Sequence, residues 1–145
     1  AGLLVAAGWL GAHLSYARGV GVDTTAFQVA PAEWADVLPD EQLPPDTPTL
    51  VHADGVPVLL LRRGTTVHAL ADRCTHRGAP LHEGALAGDC IVCPWHDSSF
   101  RITDGQVVDG PATRSQPVYE VRLRYGSIQV RRREEPGSLR TNPVS

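Results

Sequence analysis

The sequence is short of several things, and each shortage removes a class of protein. Three cysteines in 145 residues give no disulfide framework, and the intended compartment is expected to be reducing. A net charge of −3 gives no support for nucleic-acid binding. The apolar leader from Ala1 to Leu14, whose only ionisable side chain is His13, falls short of the roughly 20 apolar residues of a membrane span. It also lacks the basic start of a signal peptide. There is no Ser/His/Asp set, phosphate loop or flavin fingerprint, so no catalytic constellation is visible, and there is no internal repeat. Aromatic residues are few, whereas fourteen glycines and twelve prolines are present. That balance suits one β-rich domain with many turns, plus tails.

What is present is more specific. Cys74-Thr75-His76 and Cys93-Pro94-Trp95-His96 each offer one thiolate and one imidazole, with sixteen residues between His76 and Cys93. Together they supply two sulfur and two nitrogen ligands, a set that can hold a [2Fe–2S] cluster with two Cys on one iron and two His on the other. Ferric iron and sulfide favour thiolate. Neutral imidazoles leave the site less negative than four thiolates would, so adding an electron costs less and the reduction potential rises. Zinc also takes two Cys and two His. Zinc fingers, however, usually group both Cys in one knuckle and both His in another, whereas each segment here carries one of each. A zinc-stabilised binding module remains the alternative, and it would be colourless.

The stretch Cys74-Thr75-His76-Arg77-Gly78-Ala79-Pro80-Leu81 resembles the first cluster loop of the Rieske iron–sulfur family. Cys93-Pro94-Trp95-His96-Asp97-Ser98-Ser99-Phe100 resembles its second. The likeness is specific over about residues 68–110 and extends over about 26–131. It implies that Cys74 and Cys93 bind the inner iron, that His76 and His96 bind the outer iron, and that the Ser98 hydroxyl bonds a bridging sulfide. It implies one cluster per chain. It also implies redox protein partners, a reductase and a terminal acceptor, with no nucleic acid.

Departures from the family pattern are informative. Respiratory members carry a disulfide between the two loops, but the corresponding residues here are Ala79 and Trp95. Phe100 stands where high-potential members use Tyr, which removes one hydrogen bond that raises the potential. The resemblance therefore implies a potential in the lower or middle part of the roughly −150 to +300 mV Rieske range. Cys90, in the run Cys90-Ile91-Val92, reads as a small buried hydrophobe, and Trp95 as a shield over the cluster or as ordinary packing. Gly78, Pro80 and Pro94 restrict the loops so that backbone N–H groups can aim at sulfide. His13, His52, His68 and His82 lie outside the ligand pattern. Arg73 and Arg77 flank His76, and Asp97 follows His96; they form either a docking rim for a redox partner or a solvated surface. Arg131-Arg132-Arg133, followed by Glu134-Glu135, reads as a solvated strand end.

Along the chain, Ala26–Val29 reads as a first strand and Pro31–Val37 as a short helical turn. Pro39–Pro48, with four prolines, reads as a loop. Leu50–His52 and Val56–Leu61 flank Asp54-Gly55, a hairpin signal. Arg63-Gly64 turns the chain into Thr66–Leu70, which leads to the first cluster loop, and Leu86–Val92 returns to the second. Phe100–Ile102 and Gln106–Val108 flank Asp104-Gly105, and Val118–Leu123 and Ile128–Val130 flank Tyr125-Gly126. The expected fold is all-β: an antiparallel Rieske-like sandwich or barrel base with a cluster-binding subdomain inserted at about 72–98.

The expected organisation is a leader over 1–23, the domain over 24–131 and a flexible tail over 132–145. The segment Trp9–Asp23 resembles the end of a bacterial membrane domain of unknown function. The chain opens on Ala1, so the leader is expected to be the end of a longer helix, with Tyr16 and Arg18 as interfacial anchors. This offers a route to membrane association with the domain on the cytoplasmic side; the alternative is a soluble ferredoxin with a disordered or amphipathic leader.

The reading from sequence is one-electron transfer between a reductase and a terminal acceptor. A second is an electron-transfer piece of a Rieske oxygenase or nitrite reductase system. An oxygenase needs a mononuclear iron domain of two His and a carboxylate, and only fifteen residues follow Val130.

Overall fold

The computed structural model describes residues 7–10, 12, 13, 25 and 28–133. Ten strands follow in order: β1 (Ala35–Pro39), β2 (Thr49–Ala53), β3 (Val56–Arg63), β4 (Thr66–Ala71), β5 (Ala85–Ala87), β6 (Cys90–Val92), β7 (Ser99–Arg101), β8 (Val107–Asp109), β9 (Tyr119–Arg124) and β10 (Ser127–Arg132). They form three antiparallel sheets, ordered β1-β10-β9, β2-β3-β4 and β5-β6-β7-β8. The first two make the base. A bridge between Leu70 and Val118 joins them along β4 and β9. The third is a smaller sheet between β4 and β9 in the chain, and it runs on to Asp109, past residue 98.

The hairpins follow from local chemistry. Asp54 and Gly55 both take positive φ, 50° and 82°, as do Tyr125 and Gly126 at 50° and 75°. Two consecutive left-handed residues match the twist of the flanking strands. Gly88 at φ 59° turns β5 into β6, so the stretch 86–92 is a hairpin rather than one returning run.

Two cores lie on either side of one sheet. Val58 and Leu60 of β3, with Ala69 and Ala71 of β4, face Tyr119, Ile128 and Val130 of the opposing sheet. Leu59 and Leu61, with Leu70, face the other way, against Leu81, Ile91, Phe100 and both Cys74 and Cys93. Successive strand side chains point to opposite faces, so a strand buried on both faces reads as an unbroken apolar run. That is why Val58-Leu59-Leu60-Leu61 contains no polar residue, and all four are 0% exposed. Arg63, at the end of β3, ties the small sheet to the base by donating to the Gly88 carbonyl at 2.5 Å.

Three expectations change. Gln28 and Val29 are not in a strand, while Ala26 and Phe27 lie outside the described residues. The expected helical turn over 31–37 is instead a bend leading into β1. Pairing decides this: Ala35 faces Val130 and Pro39 faces Ser127, with a bulge between Asp36 and Leu38. Pro31 contributes its carbonyl to Arg132 N–H at 2.8 Å. Trp34 lies under two guanidinium groups, Arg122 at 4.2 Å and Arg131 at 4.5 Å. The proline-rich segment 39–48 holds a single 3-10 turn, Asp40–Gln42.

The leader lies mostly outside the described residues, Tyr16 and Arg18 included. Within its described part, Trp9 and His13 stack at 5.2 Å. Among the described residues no helix is long and apolar enough to cross a membrane. The expected tail begins inside β10, which runs to Arg132, and 134–145 lie outside the described residues.

Leu60→Ala is expected to cost about 2–5 kcal/mol by leaving a cavity in the base. Leu123→Ala, at a side chain that is 59% exposed, is expected to cost under about 0.5 kcal/mol. Chemical denaturation followed by far-UV circular dichroism would compare the two.

Candidate metal centre

The four expected ligands come from two loops that meet on one side of the double core. The first loop leaves β4 and returns at Leu81; the second joins β6 to β7. Each is closed by its own backbone. Cys74 N–H donates to Ala79 O at 2.9 Å and Gly78 N–H to Cys74 O at 2.8 Å; Cys93 N–H donates to Ser98 O at 2.8 Å and Asp97 N–H to Cys93 O at 3.2 Å. Gly78 takes φ 76° and Asp97 φ 59°, the left-handed residues that let each turn fold back.

The loops segregate their ligands by depth. Cys74 and Cys93 are 0% and 1% exposed, and the two side chains are within hydrogen-bonding reach of each other. Burial pushes the Cys74 thiol up to about 11, and the neighbouring Cys93 adds to this against the N–H groups of His76 and Arg77, which favour the thiolate. His96 is exposed and His76 half-buried. Their rings meet edge to face, with centroids 5.0 Å apart at 84°. His76 is held below its ordinary value by burial first, then by His96 and Arg77. Its Nδ1 is buried with no hydrogen-bond partner. A buried ring nitrogen with no donor or acceptor is costly, and a metal ion is the kind of partner it lacks. The residues therefore fit a two-iron group: paired thiols inside, paired imidazoles outside, and an orphaned nitrogen on the outer pair.

A third segment, between β8 and β9, completes the site. Ser98 is 0% exposed, and its Oγ accepts the Ala112 N–H at 3.1 Å. Gly110 passes so close to the second loop that a Cβ there would sit 2.5 Å from Ser98 Cα. Thr75 Oγ1 donates to Arg114 O at 2.8 Å, so the segment grips both loops. Trp95 is 57% exposed, on the surface of the second loop. Cys90 is half-buried in β6, outside the ligand group.

Several contributors escape the ligand pattern. Asp72 is 2% exposed; its carboxylate accepts His82 N–H and faces His82 Nδ1, each at 2.9 Å. With Leu81 N–H on Asp72 O at 2.7 Å, this closes the neck of the first loop. Gln116, 1% exposed, holds the backbone of the same loop. An acid just before the first Cys and a His just after the loop are the only sequence trace of the neck.

The Rieske [2Fe-2S] domain family matches residues 33–120. The chain belongs to the Rieske family. Among its relatives, ferredoxin CarAc of Metapseudomonas resinovorans is 35% identical over 98 residues, covering 67% of this chain and 92% of that protein. The anthranilate 1,2-dioxygenase ferredoxin subunit of Burkholderia cepacia is 30% identical over 99 residues, 68% of this chain and 92% of that one. The solved ferredoxin of carbazole 1,9a-dioxygenase from Nocardioides aromaticivorans IC177 superposes with a TM-score of 0.65 at 28% identity, over 70% of this chain and 100% of that one. A ferredoxin chain in a complex of reduced oxygenase and oxidised ferredoxin, also from a carbazole 1,9a-dioxygenase, gives 0.65 at 33% identity, over 70% and 97%. This Rieske domain carries a [2Fe–2S] cluster and transfers electrons between redox protein partners.

Gly110→Ala is expected to destabilise the domain by more than about 1 kcal/mol, because φ is +95° and the loop cannot yield without moving Ser98. Thermal unfolding of parent and variant would show a lowered midpoint.

Proposed function

We propose that this chain shuttles single electrons from a reductase to the terminal component of an oxygenase system, through a cluster held by Cys74, His76, Cys93 and His96. The observation that carries the proposal is the paired arrangement of the four side chains. Two neighbouring thiols lie in the core, and two imidazoles meet at the surface. When bound, the cluster supplies a site that accepts and releases one electron.

The chain's own residues do the rest. Cys74 and Cys93 would hold the cluster's iron as thiolates, and Leu59, Leu61, Leu70 and Phe100 keep water from that side. His76 and His96 would hold iron at the exposed end of the site, where a partner can approach. Ser98 Oγ takes a proton donor from Ala112 and keeps its own hydroxyl proton to give to a sulfide. Arg73, Arg77, Trp95 and Asp97 are exposed and lie within three residues of His76 or His96 in the two loops; they form the rim on which a redox partner docks. Charge on such a rim governs encounter more than final affinity. The oxygenase reading follows from the ferredoxin relatives named above and from the complex of a similar ferredoxin with its oxygenase. Three cysteines with no disulfide between them suit a reducing compartment, and we propose the cytoplasm.

Anaerobically purified protein is expected to show visible charge-transfer bands. Dithionite reduction should produce an EPR signal with mean g below the free-electron value. Colourless, EPR-silent protein with stoichiometric zinc would overturn the proposal in favour of a structural module. Cys74→Ser and Cys93→Ser should each abolish the bands, whereas Cys90→Ser should keep full iron and sulfide content. Arg77→Glu is expected to slow reduction by a reductase several-fold at low salt and to lose that effect as ionic strength rises, measured by stopped-flow absorbance.

A further inference from the structure

Gln116 stands outside the ligand pattern, yet its side chain reaches the backbone on both sides of Cys74. Its Nε2 donates to Ala71 O and to Arg73 O, each at 2.6 Å. Its Oε1 accepts the Thr75 N–H at 3.1 Å. Both amide protons and the carbonyl oxygen of the side chain are thus engaged. The residues served are 71, 73 and 75, the alternate positions that share one edge of an extended chain. The amide acts as an extra rung beyond the end of β9.

Pro117 explains why a side chain has this task. Leu70 faces Val118 in an antiparallel bridge, so Ala71 and Pro117 form the next, hydrogen-bonded pair. Ala71 N–H donates to Pro117 O at 2.8 Å. The return bond needs an N–H on residue 117, which proline lacks. Gln116 supplies that donor from its side chain and carries the ladder into the ligand loop.

The same backbone aims the donors that reach the ligand sulfur. The N–H groups of His76 and Arg77 lie near enough to the Cys74 side chain to favour its thiolate. How well they point at it depends on where the backbone at 73–75 is held. Gln116 holds it on the inside, and the Thr75 hydroxyl bond to Arg114 O holds it on the outside.

We propose that Gln116 is a positioning residue for electron transfer: by gripping Ala71, Arg73 and Thr75 it fixes the Cys74 sulfur against the N–H groups of His76 and Arg77, and so raises the reduction potential. The inference rests on Cys74 being a cluster ligand, as proposed above. Donors to ligand sulfur stabilise the more negative, reduced state. A loosened loop weakens them, and the potential falls.

The test is an EPR-monitored redox titration of the full-length holoprotein. Gln116→Leu removes all three bonds and is expected to lower the midpoint potential and broaden the reduced-state EPR lines. In a Pro117→Ala background, residue 117 regains its N–H, and the shift caused by Gln116→Leu should shrink. Val58→Ala, in the base core, should lower the melting temperature without moving the potential. An unchanged potential and line shape in Gln116→Leu would overturn the proposal. An equal shift in Val58→Ala would also do so, by assigning the effect to general loosening. If Gln116→Leu takes up no cluster, Gln116→Met, unbranched like the native side chain, is read by the same criterion. A parent protein without the [2Fe–2S] signal would instead remove the ligand assignment, so the two failures are separable.

Discussion

One sheet serves as the wall of two cores, and everything else leans on it. β3 sends Val58 and Leu60 into the base and Leu59 and Leu61 toward the ligand loops. β4 divides its side chains in the same way, then runs directly into Asp72 and Cys74. The buried thiols are therefore part of a hydrophobic core rather than attached to it. The arrangement places paired sulfurs where water is excluded and paired imidazoles where the loops emerge. Neither loop needs a disulfide, because the segment 110–118 packs against both. It touches the second loop at Gly110 and Ala112, and the first through Arg114 and Gln116.

What the sequence made legible was local. Asp54-Gly55 and Tyr125-Gly126 announced their hairpins because a two-residue turn carries its own conformational demand, and Asp104-Gly105 marked the longer connection from β7 to β8, where Gly105 takes positive φ. The two Cys/His segments announced the site because ligand chemistry restricts residue type at short spacing. β1 was hidden for the opposite reason. Its strand state is imposed by β10, some ninety residues away, which overrides a proline-led segment that resembles a helix start. The hairpin at Gly88 was hidden inside a run too short to split by pattern alone.

The supporting polar residues were harder still. Asp72, His82, Thr75 and Gln116 are ordinary letters in the sequence, and each gains meaning only from a partner brought near by the fold. A buried polar side chain that is fully engaged costs little and fixes a unique arrangement, whereas one left unpaired is expensive. Gln116 is engaged three ways and His76 Nδ1 not at all. That contrast separates the scaffold's own bonds from the position kept for something else.

The depth gradient also constrains traffic. The sulfur side of the site is walled in by the shared core, so only the imidazole pole is open to another protein. Donor and acceptor would compete for that pole and could not occupy it together. On the proposed reading the chain works as a ferry rather than as a wire, and turnover requires it to leave one berth before it enters the next. Rapid undocking then matters to throughput as much as the electron step itself, and overly tight binding to either partner would slow the whole relay.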